Sequence, residues 1–334
     1  MSHNENRRMS RRDFIGATAA VSAAGLAAGI PAASAGESAR GLALSRGAKD
    51  GPITLYYEFR VAPPANMQVL AEIEAEAGRL AAERHFLSLS LKQMVGESTM
   101  VRNFPESYKG LLGTAYADGV SAQTLPFFYS LFIRFDRMGG LQSSGAIAWF
   151  RETIEPLLFV YRPDVGKTDI PFDYFTGLFL TVAAGDQDGV YQNRGDIVDF
   201  LRRQQDEPGK AYTTVNNHVS IYDRDLIEFE GKVLPLLTVA QNTYQPENDP
   251  DGEGESGTKD DSNYKRAVTT EILRNAYPNG DLRSYMMHGV WESIWDHENS
   301  HLDPRFKLAS TPVGAHVVAG PIEPFYQTRV LFNL

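Results

Sequence analysis

Ile53-Thr-Leu-Tyr-Tyr-Glu-Phe-Arg-Val61 is followed by Pro63-Pro64 and then by Asn66-Met-Gln-Val-Leu-Ala-Glu-Ile-Glu-Ala-Glu-Ala-Gly-Arg-Leu80. In the first run Ile53, Leu55, Tyr57, Phe59 and Val61 alternate with Thr54, Tyr56, Glu58 and Arg60, the two-residue period of a half-buried strand. The proline pair ends it, because proline lacks the N–H that a ladder needs. From Asn66 to Arg84, Met67, Leu70, Ile73, Ala77 and Leu80 recur at helical spacing among Glu and Arg, predicting an amphipathic helix. Phe86, Leu87, Leu89 and Leu91 predict a second strand, Phe127 to Phe135 a third, and Ser143 to Thr153 a second helix. Strand, helix, strand, then strand, helix, strand is the ferredoxin-like order, which these elements follow.

The same order is readable from Tyr212 onward. It runs as a strand at Tyr212 to Tyr222, a helix from Asp225 to about Asn242 and a strand at Ser284 to Trp291. A helix over 292–302 follows, then strands at Val313 to Ala319 and Phe325 to Phe332. The expected class is α+β, with two ferredoxin-like repeats forming an α+β barrel that closes the sheet edges. The first half spans 52–162, the second 211–334, and 163–210, with a helix at Asp196 to Gln205, reads as a connecting segment or lid. Ile154-Glu155-Pro156 in the first half echoes Ile322-Glu323-Pro324 in the second.

Ahead of both halves, Ser10-Arg11-Arg12-Asp13-Phe14-Ile15 precedes an apolar, alanine-rich run to Ile30 and then Pro31-Ala-Ala33-Ser-Ala35. Residues 1–35 therefore read as a twin-arginine signal peptide, and 36–51 as a flexible lead-in. The expected partner is the twin-arginine translocation machinery, and the expected location is periplasmic or secreted. Removing Arg7, Arg8, Arg11 and Arg12 against Glu5 and Asp13 takes the formal charge from −10 to −12. An acidic surface argues against nucleic acid and anionic membranes as partners. No further apolar run is long enough for stable membrane insertion. With no cysteine anywhere in the chain, disulfides and thiolate metal sites are excluded. The acidic stretch 247–263 reads as a solvated loop, since its spacing does not match a calcium-binding hand.

The candidate site lies near the C-terminal end, in Trp291-Glu-Ser-Ile-Trp-Asp-His297-Glu-Asn-Ser-His301 and Gly320-Pro-Ile-Glu323-Pro324. On a helix His297 and His301 lie one turn apart on the face that Ile294 shares, so both histidines look inward. Two histidines and a carboxylate leave open coordination positions, as expected of a non-haem iron(II) centre using oxygen. The same set also suits zinc or manganese in hydrolysis or isomerisation, with Glu298 as a base. A third reading is a non-enzymatic binding protein whose histidines are structural. His218, His288, His316, Glu298, Trp291 and Tyr326 are the candidates for supporting contacts around the site.

Residues Ser284 to Tyr326 resemble the iron-binding region of the sulfur oxygenase reductases, through the helical His-x-x-x-His followed by Gly-Pro-x-Glu-Pro-x-Tyr. The likeness extends back to about Tyr212. It implies His297, His301 and Glu323 as ligands of a mononuclear iron, an oxygenase reaction on a small substrate with O2, and assembly as a homo-oligomer. That family also uses a cysteine near the iron. Lys232 to Gln245, where it would fall, offers no group of comparable softness, so the substrate stays open between an inorganic sulfur species and a small organic molecule.

Overall fold

The computed structural model describes residues 51–97, 118–120, 122–186, 188–203, 213–241, 267–301 and 304–333. The signal segment, the lead-in up to residue 50 and the acidic stretch 247–263 lie outside these residues. In the first half, β1 (Ile53–Val61), α1 (Asn66–Leu80), β2 (Phe86–Glu97) and β3 (Phe127–Phe135) follow one another. Then come α2 (Met138–Ser144) and α3 (Ala146–Trp149), continued by a π turn at Phe150–Ile154. A separate hairpin of β4 (Phe159–Arg162) and β5 (Gly166–Pro171) leads into β6 (Phe175–Asp186). After β7 (Gly189–Tyr191) and α4 (Arg194–Arg202), the second half comprises β8 (Thr213–Tyr222), α5 (Leu226–Gln241), β9 (Thr269–Asn275) and β10 (Leu282–Trp291). It ends with α6 (Ile294–Ser300), α7 (Pro304–Gly314), β11 (Val317–Ile322) and β12 (Pro324–Asn333).

Both halves have the ferredoxin-like strand order, β6-β1-β3-β2 in the first and β12-β8-β10-β9 in the second. The halves join twice, through β2 with β12 and β9 with β6, and so close an eight-stranded antiparallel barrel. Closure leaves no barrel strand with an unpaired edge, which an isolated half would expose. The expected fold class is thus the observed one.

Three details differ from the sequence reading. The segment 163–210 is not merely a connection, because β6 is the fourth strand of the first repeat and pairs with β1 from Ile53↔Leu180 to Glu58↔Phe175. Its glycines and flanking Pro and Asp residues masked a strand that is nonetheless buried from Phe179 to Asp186 on most positions. Second, β9 supplies a strand where none was read, and Val313 belongs to α7 rather than to a strand. Third, β1 is buried on both faces rather than one, since Thr54 and Tyr56 are as inaccessible as Ile53 and Val61.

That third difference defines the two sides of the barrel wall. Outward-facing Leu55, Tyr57 and Phe59 pack with Val69, Ile73, Ala77 and Leu80 of α1, while Met67, expected on that face, is exposed. Each fully buried aliphatic side chain there contributes about 1.5–3 kcal/mol, an upper estimate because the unfolded chain is itself partly collapsed. The ring of Tyr57 stacks on Phe150 at 3.7 Å and 5°. Inward-facing Tyr56, Phe132, Phe179, Leu273 and Met286 form a separate apolar cluster inside the barrel.

Candidate functional site

The short helix α6 begins at a reciprocal cap. Ser293 Oγ accepts from the Asp296 N–H at 3.1 Å and donates to the Asp296 carboxylate at 2.6 Å. Ile294 packs toward Val215, Trp291 and Phe325, and this turns His297 inward until it is only 5 % exposed. Its imidazole meets Trp291 and Phe325 edge-on at 5.2 Å each. One turn later, the His301 ring lies 4.7 Å from that of His297 and 4.6 Å from Phe306 at the start of α7.

Glu323 reaches the same place from a different part of the chain. β8 is paired by β11 as far as Ile322↔His218, and by β12 from Phe325↔Val215, so Glu323 sits at the changeover. Gly320 makes this path possible. Its φ is +96°, and a Cβ there would lie 2.3 Å from the carbonyl oxygen of His218. Only glycine tolerates both the backbone conformation and the close approach. Glu323 is buried and accepts a hydrogen bond from Asn217 Nδ2.

Between the outer face of the sheet and the helices α5, α6 and α7 is a pocket of about 80 Å³. His297, His301, Glu323 and Asn217 line it together with Val215, Leu236, Leu237, Ala240, Ile272, Met287, Trp291 and Phe306. A few converging polar groups in an apolar wall is the usual make-up of a small-molecule site. The space exceeds the ~10–15 Å³ that one water requires, and so admits a small molecule. Sequence reading missed Asn217 and Phe306. The signal for the first was Asn216-Asn217 inside a strand, where asparagine is depleted unless a specific contact holds it.

The other expected residues divide. Trp291 and His288 border the pocket, but the imidazole of His288 packs on the interior residue Phe132 at 4.9 Å and bonds Asn216 Oδ1 at 2.7 Å. His218 and Tyr326 meet at Glu58 instead, at 3.1 and 3.2 Å from its Oε1, with the Tyr56 hydroxyl donating to the same atom. Burial alone raises the Glu58 carboxyl, but the His218 hydrogen bond and charge and the two phenols outweigh it, and its pKa falls below the usual value. His316 lies on the polar side of α5, 3.1 Å from Lys232 and 3.6 Å from Glu228. Glu298 belongs to α6, and its side chain lies outside those described. The Glu-Pro echo is not positional either, since Glu155 is exposed at a helix end and accepts from Tyr174 at 2.7 Å.

As donors, two imidazoles and a carboxylate suit iron(II). Among the described residues, however, no group of three or more His, Cys, Asp or Glu is already arranged to hold a metal ion. The three side chains share a pocket without converging on one point, so binding a metal requires them to rotate. No helix of the described residues is long and apolar enough to cross a membrane.

Residues 52–139 match the ABM-like domain family, and residues 182–329 match the CT0912-like C-terminal domain family. Among solved structures, a candidate monooxygenase from Fusobacterium nucleatum is similar, with TM-score 0.50 at 10 % identity over 85 % of this chain and 94 % of that one. A second candidate monooxygenase, from Lactobacillus acidophilus, has TM-score 0.48 at 9 % identity over 85 % and 96 %. An anthrone oxidase-like protein has TM-score 0.47 at 14 % identity over 85 % and 94 %. No curated protein sequence matches the chain significantly. The resemblance to an ABM-like domain is thus confined to the first half, the half with the candidate site resembles the CT0912-like C-terminal domain, and neither match is to the sulfur oxygenase reductases in particular.

Proposed function

We propose that this chain is an oxygenase acting on a small apolar organic molecule in the pocket under α5, α6 and α7, with His297, His301 and Glu323 as ligands of one iron(II). The observation that carries the reading is the meeting of those three side chains, from a helix and from a strand changeover, on one pocket wall. The fold match to a candidate monooxygenase is compatible with it. Iron(II) with open positions would supply oxygen activation beside the bound substrate.

The protein's own part is positional. Asn217 fixes the Glu323 carboxylate by hydrogen bonding, which sets the direction of its lone pairs. Trp291 and Phe325 hold the His297 ring from two sides, while Leu236, Leu237, Ile272 and Phe306 present apolar surface to the substrate and restrict water. This lining, with no cysteine in the chain, favours an organic molecule over an inorganic sulfur species. The twin-arginine leader would deliver the protein folded, and with metal in place, to the periplasm or beyond. Oxygen consumption after addition of iron(II), scanned over small aromatics, sulfide and thiosulfate, tests the reading. Uptake with an organic substrate that disappears in Glu323→Ala supports it. Equal rates in the variant would refute the assignment, and uptake with sulfide alone would overturn the substrate class.

A further inference from the structure

We propose that the lumen of the barrel is a second binding site, for one small oxyanion held by Arg134, Lys92 and His288 together with the hydroxyls of Ser88, Ser90 and Ser130. The site lies on the opposite side of the sheet from the α5–α7 pocket, and its assignment does not rest on the iron reading.

Cross-strand register puts these residues side by side. Arg134 is paired with Ser88, Phe132 with Ser90 and Ser130 with Lys92, all between β3 and β2. Arg134, Lys92 and all three serines are fully inaccessible, and His288 is 2 % exposed. Three cationic or protonatable groups surround one ring, with the Arg134 guanidinium carbon 4.8 Å, the Lys92 Nζ 5.9 Å and the His288 ring 4.9 Å from the centre of Phe132.

Two carboxylates face them, and Lys92 Nζ also donates to Thr328 Oγ1 at 3.1 Å. Glu271 takes a 2.7 Å bond from Arg134 Nη2. Glu58, at the Tyr56 end, already accepts from Tyr56, Tyr326 and His218. Among the described residues, Arg134 Nε and Nη1, the hydroxyls of Ser88, Ser90 and Ser130, and His288 Nε2 are all buried and have no hydrogen-bond partner, and Glu271 Oε2 is the one carboxylate oxygen beside them in the same state. Buried donors nearly always have partners, so a cluster of this size, biased toward positive charge, calls for an acceptor-rich occupant. His288 fits the same polarity. Asn216 presents its carbonyl oxygen to Nδ1, because its amide nitrogen donates to the Tyr56 hydroxyl at 3.2 Å. Nδ1 therefore carries the proton, and Nε2 donates to an anion only in the imidazolium form. Burial, with Lys92 and Arg134 nearby, disfavours that form in the bare chain, and burial with Arg134 disfavours the charged form of Lys92 in the same way; an oxyanion between the three would relieve both.

The test uses the full chain after exhaustive dialysis. Thermal unfolding with added sulfate, phosphate or nitrate is compared with Lys92→Met, which removes one cation but leaves the Arg134–Glu271 pair, and with the milder Ser90→Ala. Anion released on denaturation is measured by ion chromatography. The expected result is a rise of roughly 5 °C at a hundredfold excess over Kd in the wild type, less in Ser90→Ala and absent in Lys92→Met. Co-purification of about one oxyanion per wild-type chain, lost in Lys92→Met, would support the site equally. Equal rises in all three proteins would show only general salt exclusion and overturn the proposal. So would no rise together with no released anion, which would leave the lumen to water.

Discussion

The two halves share one strand order, yet they treat the fifth residue of their first strand in opposite ways. In β1 it is Tyr57, whose ring is covered by the stacked ring of Phe150 at 3.7 Å, and the layer between sheet and helices is filled with apolar side chains. In β8 it is Asn217, which donates to Glu323 at the edge of a pocket. Two halves with one strand order can therefore divide their labour. One half supplies a close-packed core, and the other gives up packing to hold polar groups in a cavity.

Five substitutions sharpen or break that contrast. The largest effect on stability belongs to the packed half. Phe150→Ala should cost about 3–5 kcal/mol in urea unfolding, the usual range for an aromatic removed from a core, and leave metal uptake by the refolded protein unchanged. Gly320→Ala should cost about 1–3 kcal/mol through strain and the clash with His218 and should also impair metal uptake. Gly145→Ala, also at positive φ but with nothing within 4 Å, should cost only about 1 kcal/mol. If the two alanines are equally mild, the changeover at Glu323 is not held as described.

Asn217→Ala should weaken metal binding about 10- to 100-fold, the range for residues that orient a ligand, with little change in unfolding midpoint. Dialysis against graded chelator reads this out. The smallest effect is at the barrel mouth. Because the folded Glu58 pKa lies below its unfolded value of about 4.3, its contribution is complete above that value and lost as pH falls through the lowered one. Glu58→Gln should shrink the acid-side loss of stability, seen in unfolding midpoints from pH 6 down to about pH 3. An unchanged acid limb would contradict that contact.

What sequence could and could not reveal follows from the same geometry. β1 and β3 are readable to their end residues, and α1 nearly so, because strong periodicity and flanking prolines mark them. Period-two alternation shows that a strand has two unlike faces but not that the polar one is wet. Ser88, Ser90 and Lys92 alternate with Leu87, Leu89 and Leu91 yet face the closed lumen, since barrel closure is a property of pairings far apart in sequence. β6 was hidden by glycine-broken alternation next to turn residues. At the site, the spacing of His297 and His301 placed both on one helix face, and the inward turn expected from Ile294 is what the fold shows. Asn217 was invisible in that role because its partner lies 106 residues away. His218 and Tyr326, expected as supporting contacts around the site, bond Glu58 on the lumen side of the sheet.

The most direct test of the central claim is metal analysis of the exported, purified protein beside His297→Ala. About one iron per chain in the wild type, absent from a variant that still folds, is the predicted result. Equal metal in both proteins, or none in either after anaerobic loading with iron(II), would contradict the site.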